Sequence, residues 1–227
     1  PDLNWENPKV REEVADIVKF WFDKGIDGFR MDVISLISKR PDYANMVSDV
    51  FEDTIREQYA NGPRIHEFLK ELNKNVLSKY DIMTVGEGPG ITLDHGLNYV
   101  DESREELDMV FHFDHMFIDF GPGGKYDPQP YDLVEFKNIF SRWDEKLKDK
   151  GWGSIFLGNH DFPRIVSRFG NDKDYHDKSA KLLAMLLMSL RGTPYIYQGD
   201  EIGMTNVAFE TTYDYRDIET INYFKSL

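Results

Sequence analysis

Hydrophobic positions along this chain alternate between helical spacing and short continuous runs. Val10, Val14, Ile17, Val18 and Trp21 recur as one helix face would require. They follow Asn7, suited to cap, and Pro8, suited to a first helical position where an N–H would go unpaired anyway. Gly25 ends that helix, and the run from Ile26 to Met31 reads as a strand leading to Asp32. A second helix carries Ile65, Phe68, Leu69, Leu72 and Val76, and a strand from Ile82 to Gly86 leads to Glu87. Met109 to Phe113 reads as a short buried strand. A long helix carries Leu133, Phe136, Ile139, Phe140, Trp143 and Leu147, followed by a strand from Ile155 towards Asp161. An apolar helix from Ser179 to Leu190 precedes a last strand from Thr193 to Tyr197. Repeated helix–strand order predicts a parallel sheet with right-handed crossovers. The Gly- and Pro-rich stretch from Gly121 to Pro130 predicts a mobile surface loop.

Composition narrows the class. The chain has 227 residues, 41% hydrophobic and 14% aromatic, which suits a folded globular protein with a sizeable core. A net charge of −14 argues against nucleic acid, whose phosphates would repel it, and suits a neutral ligand such as a sugar. The chain contains no cysteine, which fits a reducing cytoplasm. No apolar run approaches the roughly 20 residues needed to span a bilayer, so no membrane partner is expected.

Three carboxylates, Asp32, Glu87 and Asp161, each follow a predicted strand. In a barrel of alternating strands and helices, the carboxyl ends of all strands meet on one face, where chemistry is built. Taken singly, each acid is as readily an ordinary strand-end carboxylate. Taken together, they suit acetal hydrolysis, in which one carboxyl protonates the leaving oxygen and another attacks or stabilises the sugar cation. Arg30 lies two residues before Asp32, on the same strand face, placed to hold Asp32 ionised and oriented. A structural ion pair is the alternative reading of that pair.

The local motifs resemble those of the α-amylase-type glycoside hydrolases. Gly28-Phe29-Arg30-Met31-Asp32-Val33 is similar to the family's nucleophile strand, and Val85-Gly86-Glu87 to its acid/base segment. Phe156-Leu157-Gly158-Asn159-His160-Asp161 is similar to its third acidic segment. Pro1-Asp2-Leu3-Asn4 and the run from Gly192 to Glu201 match two further landmarks, in the family's order. Within the family, the resemblance is to oligo-1,6-glucosidases and their α-glucosidase relatives. It implies a TIM (β/α)8 barrel, here strands four to eight with their helices. Residues 1–227 would then form the C-terminal part of the catalytic barrel, without the first three strands, the inserted small domain and the C-terminal β-sandwich. The open edges of such a fragment predict self-association and little or no activity in isolation.

The same resemblance implies roles. Asp32 is the expected nucleophile, Glu87 the acid/base and Asp161 the group that favours a distorted, cation-like ring. His160 is expected to grip the sugar. Val33 and the segment Gly88-Pro89-Gly90-Ile91-Thr92 are similar to the branch preferring α-1,6 bonds. Phe162 is a candidate stacking surface. Lys39, Arg40 and Arg164 are the candidate phosphate readers, should the substrate be phosphorylated trehalose; a transglucosidase or sugar isomerase is the other alternative within the family. A non-catalytic barrel serving as a binding or transporter subunit is the alternative of another class. His112, Asp114 and His115 form no convincing metal pattern, and neither metal nor cofactor is expected. Asp200 and Glu201 are read as loop-holding acids, and Tyr195 and Tyr197 as barrel packing.

Overall fold

The computed structural model describes residues 2–40, 42, 45 and 54–227. The chain divides into two compact units. One comprises Pro1–Leu157 with Ser189–Tyr195, the other Gly158–Met188 with Ile196–Leu227.

The first unit begins with α1 (Pro8–Asp23), where the Asn7 side chain accepts from the Lys9 N–H as expected of a cap. Its inner face buries Phe22 against Phe29 and Tyr80. The apolar period is wider than the buried stripe, however: Ile17, Phe20 and Trp21 are exposed. Strand β1 (Gly28–Met31) then pairs in parallel with β2 (Met83–Glu87), which follows α2 (Ile65–Asn75). Helix α2 buries Ile65, Phe68, Leu69 and Leu72, the stripe its spacing predicts.

Strand β3 (Met109–Phe111), reached through α3 (Leu93–Val100), pairs in parallel with β2. The register of β2 against β3 is fixed at its start by Asp108, which accepts from the Thr84 N–H and hydroxyl at 2.7 and 2.8 Å. The stretch predicted as a mobile loop is instead an antiparallel hairpin of β4 (Phe120–Gly121) and β5 (Gly124–Pro128). Its glycines mark a turn between two pairing segments, not the absence of structure.

Helix α4 (Leu133–Leu147), capped by Asp132, buries Phe136, Ile139, Phe140, Trp143 and Leu147. Leu133, counted in the same stripe, is exposed at the first position. Strand β6 (Ser154–Ile155) follows and pairs in parallel with β7 (Thr193–Pro194). It lies beside β3, joined by the Ser154 hydroxyl donating to Val110 O at 2.6 Å. All five strands of the predicted helix–strand alternation are present and the pairings within each sheet are parallel, but β6 and β7 are shorter than expected, with β6 ending at Ile155 instead of reaching Asp161. Tyr195 packs edge-on against Phe111, as barrel packing requires.

The second unit holds α5 (Ile165–Phe169), α6 (His176–Ser189, starting three residues before the predicted position) and α7 (Ile218–Ser226). No described helix is long and apolar enough to cross a membrane.

One close approach governs the pair of strands that matters most. Gly28 faces Met83, and a Cβ at Gly28 would run into the Met83 carbonyl. Gly28→Ala is therefore expected to destabilise the protein by about 1–3 kcal/mol through overpacking, read as a lowered urea midpoint. An unchanged midpoint would show that the strands have slack.

Candidate active site

The site grows from the ends of β1 and β2. Because β1 alternates, Arg30 and Asp32 project to one face, and parallel register sets Met31 beside Gly86, one residue before Glu87. Arg30 binds both acids. Its Nη1 pairs with Asp32 Oδ1, and its Nη2 with Glu87 Oε1 at 2.7 Å. The acids differ in environment. Asp32 is largely exposed at 74%, whereas the Glu87 side chain is 8% exposed.

Glu87 Oε2 accepts from the backbone N–H of Val33 at 3.1 Å. Val33 has φ 38°, a left-handed conformation that is costly for a β-branched residue. That turn aims the Val33 N–H back across the gap at Glu87. The Glu87 carboxyl titrates above the ordinary carboxylate range, chiefly because it is buried and further because the Asp32 charge is close. The Val33 N–H and the Arg30 charge oppose that shift without cancelling it.

The other predicted site residues lie in the second unit. His160 Nε2 stands 3.5 Å from Asp161 Oδ2, and both side chains are exposed. The Asp161 N–H donates to Asn159 Oδ1 at 2.8 Å. The Phe162 ring is covered by the Arg168 guanidinium, 5.1 Å from its centroid. Arg164 donates to Gln198 O at 2.5 Å and lies over the Tyr197 ring. Asp200 accepts from the Tyr197 N–H and Glu201 from the Gly199 N–H, so both acids hold the loop after β7.

The family model of the alpha amylase catalytic domain matches residues 1–226. The chain belongs to the α-amylase catalytic-domain family. It is 58% identical to an oligo-1,6-glucosidase of Parageobacillus thermoglucosidasius, over 99% of this chain and 40% of that protein. It is 48% identical to a trehalose-6-phosphate hydrolase of Bacillus subtilis (strain 168), over 98% and 39%. Among solved structures it is similar to an isomaltulose synthase from Protaminobacter rubrum, with a TM-score of 0.93 and 40% identity, over 100% of this chain and 40% of that one. The chain thus spans about 40% of the length of the curated relatives it matches. The fold is that of this TIM-barrel family.

Within this α-amylase-family fold, His112, Asp114 and His115 are occupied as polar groups of the core. The His112 ring stacks on Trp143 at 4.1 Å, Asp114 accepts from the Trp143 indole N–H at 2.7 Å, and His115 Nε2 bonds Phe156 O at 2.7 Å. Burial, and then His115, push the His112 imidazole well below its ordinary value, while burial pushes the Asp114 carboxyl up. Sequence reasoning missed the Val33 N–H altogether; only a backbone turn at an unfavoured residue reveals it.

Two outcomes follow. Glu87 should titrate at lower pH in Asp32→Asn, which removes a raising charge, and at higher pH in Arg30→Met, which removes a lowering one. Carbon-13 NMR of labelled glutamate measures both, and a reversed sign in either variant would contradict the electrostatics described. His112 is neutral in the fold but takes a proton when unfolded. Stability is therefore full above pH 6.5 and lost as the pH falls towards the depressed value of the folded state. Thermal melts from pH 7 to 5 should fall less steeply in His112→Gln; parallel slopes would exclude His112 as the cause.

Proposed function

We propose that this chain carries the nucleophile and the acid/base of a retaining α-glucosidase acting on short neutral oligosaccharides, with α-1,6-linked glucose at a non-reducing end as its preferred substrate. The observation that carries this reading is the Arg30 guanidinium shared by Asp32 and the buried Glu87 at the ends of neighbouring parallel strands. The names of the oligo-1,6-glucosidase relatives support it.

Protonated Glu87 gives its proton to the glycosidic oxygen as that bond breaks, and an Asp32 oxygen bonds the anomeric carbon to form a glycosyl ester. Esterified Asp32 is neutral. One of the influences holding the proton on Glu87 is thereby removed when Glu87 must act as base and take a proton from the attacking water. Asp161 and His160 are assigned to the sugar hydroxyls. Val33 and Gly88 to Thr92 carry the linkage preference, on the strength of the resemblance.

A neutral substrate is favoured over a phosphorylated one because the candidate phosphate-binding cations are engaged. Lys39 bonds Asp2 and Leu36 O at 2.7 and 2.5 Å, Arg40 donates to Glu57 O at 3.2 Å, and Arg164 is committed to Gln198 O. Retention of the nucleophile and acid/base pair argues against a purely binding or transporter role.

The domain reading is part of the same proposal. Residues 1–227 supply strands four to eight of the barrel, and the exposed face of Ile17, Phe20 and Trp21 on α1 is packed by barrel elements outside this chain. The chain by itself should be nearly silent, since a part-built pocket leaves reacting groups wet and loosely held.

The test uses isomaltose, maltose and phosphorylated trehalose with the full-length enzyme and with Asp32→Asn and Glu87→Gln. Isomaltose should be cleaved fastest, and each variant should lose at least about 100-fold in kcat. Faster cleavage of either other sugar would overturn the substrate assignment. A variant retaining the parental rate would overturn the mechanism.

A further inference from the structure

Each catalytic strand runs into a loop, and one residue outside both loops is bonded to each. Asn61 has φ 54°, a left-handed conformation that asparagine tolerates better than most residues. Its N–H donates to Ser35 O at 3.0 Å, in the loop after Asp32. Its Nδ2 donates to Gly90 O at 2.8 Å, in the loop after Glu87. Its Oδ1 accepts from the Tyr99 hydroxyl at 2.7 Å. Ser35 closes the circuit, its hydroxyl donating to Pro89 O at 2.7 Å.

Ser35 and Tyr99 are fully buried, so water does not compete for their bonds. Burial, and then Glu106, push the Tyr99 hydroxyl above its ordinary value, which keeps it a donor. Gly90 has φ 74°, and a Cβ there would sit 2.7 Å from that of Ala60. The Ala60 side chain therefore packs directly against the segment after the acid.

From this geometry we infer that Asn61, with Ser35 and Tyr99, is a clasp that sets the distance between the nucleophile loop and the acid loop, which makes Asn61 a positioning residue for the reaction. The inference rests on the reading of Asp32 and Glu87 as nucleophile and acid. The clasp spans the same gap as the Val33 N–H bond to Glu87. A slip of either loop would draw that N–H away from the acid and shift Asp32 against it. Displacements near 1 Å can cost about 100-fold in rate.

In the full-length enzyme, Asn61→Gly keeps the left-handed backbone and removes both side-chain bonds. Tyr99→Phe removes one hydroxyl and serves as the milder variant. In Asn61→Gly, kcat on isomaltose should fall about 10- to 100-fold. The pH at which kcat/KM is lost on the basic side should rise, because a donor that lowers the Glu87 titration is loosened. Tyr99→Phe should move both in the same direction by less. Carbon-13 NMR titration of Glu87 in the free protein reads the same shift without turnover. Should the wild-type enzyme cleave no glucoside while the Glu87 titration moves as described, the proposed activity fails and the clasp stands. An unchanged Glu87 titration and unchanged pH limbs in both variants, whatever their melting temperatures, would overturn the clasp.

Discussion

The arrangement depends on one cation between two anions. Without Arg30, Asp32 and Glu87 would meet at the ends of adjacent strands with no cation between them. Parallel register brings the strands together, and Gly28 allows the close approach, but both effects position backbone only. The guanidinium converts that proximity into two carboxyl groups of fixed orientation, which a planar fork does better than a point charge. The two acids differ in environment: Asp32 is exposed, while Glu87 is buried and binds its proton more tightly than an ordinary carboxylic acid.

The strain at Val33 belongs to the same device. A β-branched residue with φ 38° is a local cost, and its return is an N–H placed on the acid. Both Glu87 oxygens are thus held, Oε2 by the Val33 N–H and Oε1 by the Arg30 guanidinium. A residue with no titratable group thus helps fix the orientation of the Glu87 carboxyl.

Much of this was legible in the chain because the information is local. Helix stripes on α2 and α4, the Asn7 cap with Pro8, and the strands that lead to Asp32 and Glu87 all follow from side-chain spacing, whereas β6 stops at Ile155, short of Asp161. What failed was what depends on partners. Ile17 and Trp21 fit the period of α1 yet lie exposed, because periodicity marks an apolar face and not what covers it. The hairpin of β4 and β5 was read as a loop because its glycines and prolines conceal pairing that only neighbouring backbone reveals. Asn61 carries no sequence signal, since its role lies in backbone conformation and in residues far away in the chain.

The proposed division of labour between Asp32 as exposed nucleophile and Glu87 as buried acid is tested most directly by trapping. The full-length enzyme is incubated with a fluorinated α-glucosyl fluoride that slows release of the glycosyl ester, then digested and mapped by mass spectrometry. A retaining mechanism on this geometry predicts the glycosyl mass on the peptide containing Asp32, at Asp32 itself. A label on Glu87, on Asp161 or on no residue, with the enzyme still turning over its substrate, would contradict it.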